Sequence, residues 1–202
     1  MPLDDVQQYK LTSQVVMYHP LHLYCCQVCK QADTVLAYFI FPGISSPDVM
    51  RRSLEYYEKI TTHDSSLSTC IFSIVVSRPG LAEKAEQYFG NSLRADLVNT
   101  RHNTRNGIHT ANMGGNCMAV VNGFAGLHIR EDGFSLHPRL PARWTSRRFS
   151  FVWQKRQFSF EVNQTQSTLT LVHGNAVTAQ ICGKDYSFAK ARDAVSVPLS
   201  QE

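Results

Sequence analysis

Long hydrophobic runs are missing from this 202-residue chain: no apolar stretch is long enough to cross a bilayer, which argues against a membrane-spanning protein. Met1–Lys10 is polar and acidic, without the basic and apolar regions of a secretory leader, so the expected compartment is the cytoplasm. In that setting the sequon Asn163-Gln164-Thr165 carries no glycan. Strong charge of either sign is absent as well, the formal balance being +4. The densest basic cluster, Arg139, Arg143, Arg147, Arg148, Lys155 and Arg156, has neither an aromatic ladder nor a recognition motif beside it. It reads as solvated strand surface, and no nucleic-acid partner is expected. The six cysteines form no framework. Cys26 and Cys29 make a C-x-x-C without a second pair or a histidine at ligand spacing, so the thiols read as reduced and buried, with no metal site.

What is present is concentrated in two segments, Thr61–Ser68 (TTHDSSLS) and Gly107–Gly115 (GIHTANMGG). Asp64, Ser65 and Ser66 precede the apolar run Leu67–Val76, where a helix start leaves backbone N–H groups unpaired and its dipole favours an anion. Serine hydroxyls there donate to a phosphate; the competing reading is ordinary capping by Asp64 or Ser65. In the second segment Gly107, Gly114 and Gly115 permit close backbone approach, and His109 is a donor near neutral pH. Together they read as half of an oxyanion pocket.

The first two thirds of the chain are patterned for helices. One is expected over Pro20–Phe41, stopped by Pro42-Gly43. A second opens at Ser45 or Ser46 ahead of Pro47 and runs to Ile60, with Val49, Leu54 and Tyr57 inward. A third spans about Ser66–Ser77, ended by Arg78-Pro79-Gly80; a fourth spans Leu81–Leu97; Val98–Gly107 is a loop; and a last helix runs Gly114–Phe124. After Gly126 the period changes to two, in Phe134–His137, Arg148–Trp153, Phe158–Val162 and Thr168–Val172. Short strands without intervening helices suggest an antiparallel sandwich. From Lys184 onward the periodicity fades, and an irregular tail is expected over 184–202.

Several quoted segments, in this order and spacing, resemble the glycoside hydrolase family 65 disaccharide phosphorylases, which include maltose, trehalose and kojibiose phosphorylases. They are His19-Pro20-Leu21, Lys30-Gln31-Ala32-Asp33, Tyr56-Tyr57-Glu58, TTHDSSLS, Arg94-Ala95-Asp96-Leu97, GIHTANMGG, Gly123–Gly126 and Pro138–Trp144. The resemblance implies an α+β fold: closing helical hairpins of an α/α six-hairpin barrel over 1–126, then a C-terminal antiparallel β-sandwich over 127–183. It also implies an inverting phosphorolysis. A glutamic acid protonates the leaving glycosidic oxygen while inorganic phosphate attacks the anomeric carbon from the opposite face, releasing β-glucose 1-phosphate.

Carried over by motif, Ser65, Ser66 and His109 hold phosphate, with backbone contact from Gly114 and also considered at Gly115. Lys30 and Gln31 bind hydroxyls of the glucosyl unit; read without the motif, they are a solvated helix face. His63 and Asp64 shape the loop, Asp64 by capping, since a carboxylate beside the pocket repels the nucleophile. No cofactor is implied, phosphate being a co-substrate. The family's acid, its remaining sugar-binding residues and half of its barrel lie upstream of the matched region, so no catalytic residue is assigned. The expectation is a C-terminal portion, inactive alone, whose open inner face pairs with an upstream fragment or a homodimer partner. Asn116-Cys117 stands where the family carries a tryptophan. The alternative function is a non-catalytic sugar- or phosphate-binding or partner-docking module. A hydrolase of the same family is disfavoured because no glutamate accompanies Ser65 and Ser66.

Overall fold

A computed structural model describes Leu21 and residues 25–99 and 104–199. They fall in two compact units divided between Ala119 and Val120. The first contains five α-helices among the described residues: α1 (Asp33–Ile40), α2 (Pro47–Ile60), α3 (Ser66–Ser77), α4 (Ala82–Leu93) and α5 (Thr110–Met118).

Local chemistry accounts for the sharpest helix ends. Ser46 caps α2 by accepting from the Val49 amide, with Pro47 in the first turn, Asp48 at the positive end of the dipole and Lys59 at the other. Along α2, Leu54 and Ile60 face inward, whereas Val49, expected inside, is exposed. Helix α3 is buried along most of its length, hydroxyl residues included, and is the centre of the unit, packing against α1, α4 and α5. Its interior hydroxyls are satisfied: Ser73 donates to the Ala85 carbonyl at 2.9 Å and Ser77 to that of Ile74 at 2.7 Å.

Three helix expectations need correction. In the described part of Pro20–Phe41, Leu21 is helical, residues 25–32 are not, and helix α1 starts only at Asp33; Pro20 itself lies outside the described residues. Cys29 instead forms a parallel bridge with Thr61, its amide donating to Ile60 and its carbonyl accepting from Thr62, both at 2.9 Å. Backbone pairing with a distant segment outcompetes local helix propensity there. Helix α4 ends at Leu93, four residues early, in a turn that leaves Leu97 largely exposed. Helix α5 begins at Thr110 rather than Gly114 and passes into a π turn over Ala119–Phe124.

That π turn moves the unit boundary ahead of the expected 126/127 division. Phe124 packs on Trp144, with ring centroids 4.5 Å apart, and Val121 packs against the core of the second unit. Among the described residues this unit holds eight strands: β1 (His128–Ile129), β2 (Phe134–Leu136), β3 (Ser146–Trp153), β4 (Arg156–Asn163), β5 (Gln166–His173), β6 (Val177–Ile181), β7 (Lys184–Phe188) and β8 (Ala194–Pro198). They form two four-stranded sheets, ordered β1-β2-β6-β7 and β3-β4-β5-β8. Phe134, Leu136, Ile181 and Phe188 of the first share one core with Phe158, Phe160, Leu169 and Leu171 of the second. Pairing is antiparallel throughout except between β2 and β6, which run parallel, so the expected all-antiparallel arrangement is not met.

The irregular tail expected over 184–202 is also corrected. Strand β7 pairs with β6 and β8 with β5, burying Phe188 and Val197. The hairpin into β7 turns on Cys182 and Gly183, at φ 49° and 77°, and that into β4 on Gln154 and Lys155, at 46° and 64°. Both are two-residue loops with two left-handed residues, the twist a tight hairpin requires. No described helix is long and apolar enough to cross a membrane.

Candidate phosphate and sugar site

The approach to α3 is shaped by the strand-like pairing at Cys29. Because Asp64 donates its amide to the Lys30 carbonyl at 3.0 Å, Lys30 and Gln31 run beside His63–Ser65. The two residues expected to hold sugar and the loop expected to hold phosphate, more than thirty positions apart in sequence, are neighbours through the backbone. Lys30 is exposed and Gln31 half-buried, its carboxamide donating to Asp33 at 2.7 Å. Neither lies on a helix, so the helix-face reading of this pair is withdrawn.

His63 turns the loop with φ 58°, a left-handed conformation that costs on the order of 1 kcal/mol for such a residue and must be held by its surroundings. Its Nδ1 pairs with Ser68 Oγ at 2.8 Å, and its ring meets the edge of Phe72 at 4.7 Å and lies 5.5 Å from that of Tyr88. Tyr88 donates to Glu58 at 2.8 Å, and the other Glu58 oxygen takes Lys84 at 2.5 Å. Burial, then the Glu58 carboxylate, push the Tyr88 hydroxyl well above its ordinary pKa, so it stays a protonated donor. The loop-shaping part assigned to His63 thus has a physical frame in Glu58, Lys84 and Tyr88, which sequence reasoning missed.

Ser65 is the N-cap of α3: its hydroxyl accepts from Leu67 N at 3.4 Å and its carbonyl from Ser68 N at 3.1 Å. The capping role expected of Asp64 therefore belongs to Ser65. One carboxylate oxygen of Asp64 is buried without a partner among the described residues. Ser66 is the first helical residue, where the backbone N–H has no intrahelical acceptor.

His109 occupies the matching position on α5, as its N-cap residue. Its backbone N–H donates to Asp96 Oδ2 at 3.0 Å, and its ring Nδ1 pairs with Asp96 Oδ1. These two bonds, the ring one foremost, hold the Asp96 carboxyl below the usual carboxylate range. A second clasp joins the end of α4 to α5: Ser92 Oγ and Asn112 Oδ1 lie 2.6 Å apart, and Asn112 Nδ2 donates to the Ser92 carbonyl at 2.9 Å.

Helices α3 and α5 approach through a glycine. A Cβ at Gly115 would sit 2.4 Å from Cys70 Sγ, so only glycine lets α5 settle on α3 at this crossing. Ser66 precedes Cys70, and Thr110 precedes Gly115, by about one helical turn, roughly 6–8 Å of rise. Gly114 lies beside it on the open side, with nothing within 4 Å of where its Cβ would be. As the fifth residue of α5 it has its amide committed to the helix, so it can offer room for a ligand rather than a donor. Asp96, Glu58 and Asn112 were legible only as members of matched segments; their pairings span 13 to 30 positions and have no periodic signature.

Residues 4–118 match the model of the glycosyl hydrolase family 65 central catalytic domain, and residues 127–188 that of the family 65 C-terminal domain. The chain is 50% identical over 173 residues to the α,α-trehalose phosphorylase of Geobacillus stearothermophilus, covering 86% of this chain and 23% of that protein. It is 32% identical over 145 residues to the maltose phosphorylase of Bacillus subtilis strain 168, covering 72% and 19%. A solved structure of a protein from the human microbiome, provisionally named a kojibiose phosphorylase, superposes with a TM-score of 0.79 at 29% identity, covering 87% of this chain and 26% of that one. The chain thus spans about a quarter or less of the length of these relatives.

Proposed function

Because the chain belongs to glycosyl hydrolase family 65, we propose that it carries the phosphate-binding half of an inverting α-glucoside phosphorylase site, converting a disaccharide and phosphate to β-glucose 1-phosphate and a free sugar. The observation that carries this reading is the close crossing of α3 and α5 at Cys70–Gly115, about one helical turn from the Ser65-Ser66 start on α3 and the His109 start on α5. Hydroxyls, an imidazole and first-turn amides form the donor set that an oxyanion attacking the anomeric carbon needs. Gly114 leaves the space, and Lys30 and Gln31, paired alongside, hold hydroxyls of the glucosyl unit.

The general acid for the leaving oxygen comes from outside this set. Glu58 is engaged by Lys84 and Tyr88 and Asp96 by His109, so these two carboxylates are already committed. Helices α1–α5 are then closing hairpins of the family's barrel, the paired sheets its C-terminal sandwich, and the missing acid arrives with an upstream polypeptide. By itself the 202-residue chain binds phosphate and turns over nothing.

Calorimetric titration with inorganic phosphate tests the binding half: Ser66→Ala and His109→Ala should each weaken affinity by about tenfold or more, the scale of a lost charge-assisted hydrogen bond. No heat from the parent chain would sink it. Release of β-glucose 1-phosphate from maltose, trehalose or kojibiose by the chain alone would overturn the inactivity.

A further inference from the structure

We propose that Asp96 is the positioning residue of this site, fixing His109 so that Nε2 is the ring nitrogen presented to phosphate; the proposal rests on the reading of His109 given above. A single carboxylate takes both donors of that residue, the backbone N–H through Oδ2 at 3.0 Å and the ring through Oδ1. The two bonds fix where the N-cap backbone sits and how the imidazole is turned, which no single acceptor does.

The protonation state follows from the same geometry. A carboxylate held below its usual range is ionised at neutral pH and can only accept, so the hydrogen between the two groups belongs to Nδ1. Nε2 then meets the anion in either charge state of the ring: as a donor to a phosphate oxygen when the imidazole is protonated, as an acceptor for a phosphate hydroxyl when it is neutral. The Asp96 charge, facing two donors of His109, is partly offset before it can repel the nucleophile.

The segment bearing Asp96 is rigid enough to do this. It leaves the end of α4 through Ala95, which is buried and donates its amide to the Ser92 carbonyl at 3.3 Å, and Ser92 is clasped to Asn112 one turn into α5. The Ser92–Asn112 pair ties the helices together, and the Asp96–His109 pair orients the ring. Asparagine at 96 cannot replace the carboxylate: its single oxygen serves one donor and its NH2 opposes the other.

Nitrogen-15 NMR of the imidazoles in the full chain, with His109 assigned by its loss in His109→Asn, provides the test. The expected result is an Nδ1–H signature for His109 that persists in Asp96→Glu, is lost or mixed in Asp96→Asn, and is unaffected by Ser66→Ala. In parallel, Asp96→Asn should weaken inorganic phosphate binding about tenfold. A neutral Nε2–H tautomer in the parent chain overturns the proposal, as does an Asp96→Asn variant with unchanged tautomer. If Asp96→Asn fails to fold, the parent and Asp96→Glu spectra still decide. Absence of phosphate binding in the parent chain would instead refute the functional reading, because the tautomer is read without ligand.

Discussion

The helical unit and the sheet unit solve their burial problems in different ways. In the sheet unit the interior is aromatic and aliphatic: Phe134, Phe158, Phe160 and Phe188 are essentially inaccessible, and Phe134 meets Phe158 and Phe151 in edge-to-face contacts near 5 Å. In the helical unit the interior near the site is threaded with polar groups. Ser68, Ser73, Ser92, Asn112 and Asn116 are all buried, His63 sits at a positive φ, and oxygens of Asp64 and Asn116 are unpartnered among the described residues. Polar burial of this kind is tolerated where a site needs groups held in one geometry.

The largest effect should fall in the sheet unit. Phe158→Ala removes a ring from the shared core and is expected to cost about 3–5 kcal/mol, with phosphate binding per folded molecule unchanged. Both tryptophans, Trp144 and Trp153, lie in this unit. Their fluorescence in a denaturant titration therefore reports on it separately from the helical signal in circular dichroism. Loss of phosphate affinity in folded Phe158→Ala would break the division of labour.

Next comes the helix crossing. Gly115→Ala forces a methyl onto Cys70 and should destabilise the helical unit by about 1–3 kcal/mol and weaken phosphate binding, while Cys70→Ala in the same chain restores much of both. Additive losses in the double variant would show that this contact does not set the approach of α5 to α3.

Smaller and opposite in sign is Asn116→Leu. A carboxamide that is 5% exposed with both polar atoms unpartnered among the described residues is a poor core residue, and its apolar near-isostere should raise the thermal midpoint, by the equivalent of about 1 kcal/mol. A lowered midpoint would mean that Asn116 has a buried partner.

The smallest effect is electrostatic. The Asp96 carboxyl is depressed in the folded chain, so its contribution is present above the unfolded value near pH 4 and is lost as pH falls through the lower folded value. Asp96→Asn should remove that part of the acid sensitivity, seen as a flatter dependence of the midpoint on pH below about 4. An unchanged acid limb would deny the pairing with His109 any stability role.

Capping serines, helix-breaking prolines and alternating aromatics act within a few residues. Ser46-Pro47, Ser65-Ser66, Arg78-Pro79-Gly80 and the strands around Phe149–Trp153 and Phe158–Val162 were accordingly readable from the chain before any coordinates. The motif order likewise placed the family and nominated the candidate donors. The left-handed hairpin loops at Gln154-Lys155 and Cys182-Gly183 lack the usual Asn-Gly signal, and strand β8 takes its partner from across a sheet. Those features escaped a local reading. So did the displacement of a predicted helix by the Cys29–Thr61 bridge, the spacing of α3 and α5 at Gly115, and the two donors of His109 captured by Asp96. Apart from the hairpin loops, each depends on groups brought together across more than a dozen positions, where the free energy is decided by backbone pairing, steric fit and paired polar groups in three dimensions. Periodicity along one dimension carries no record of them.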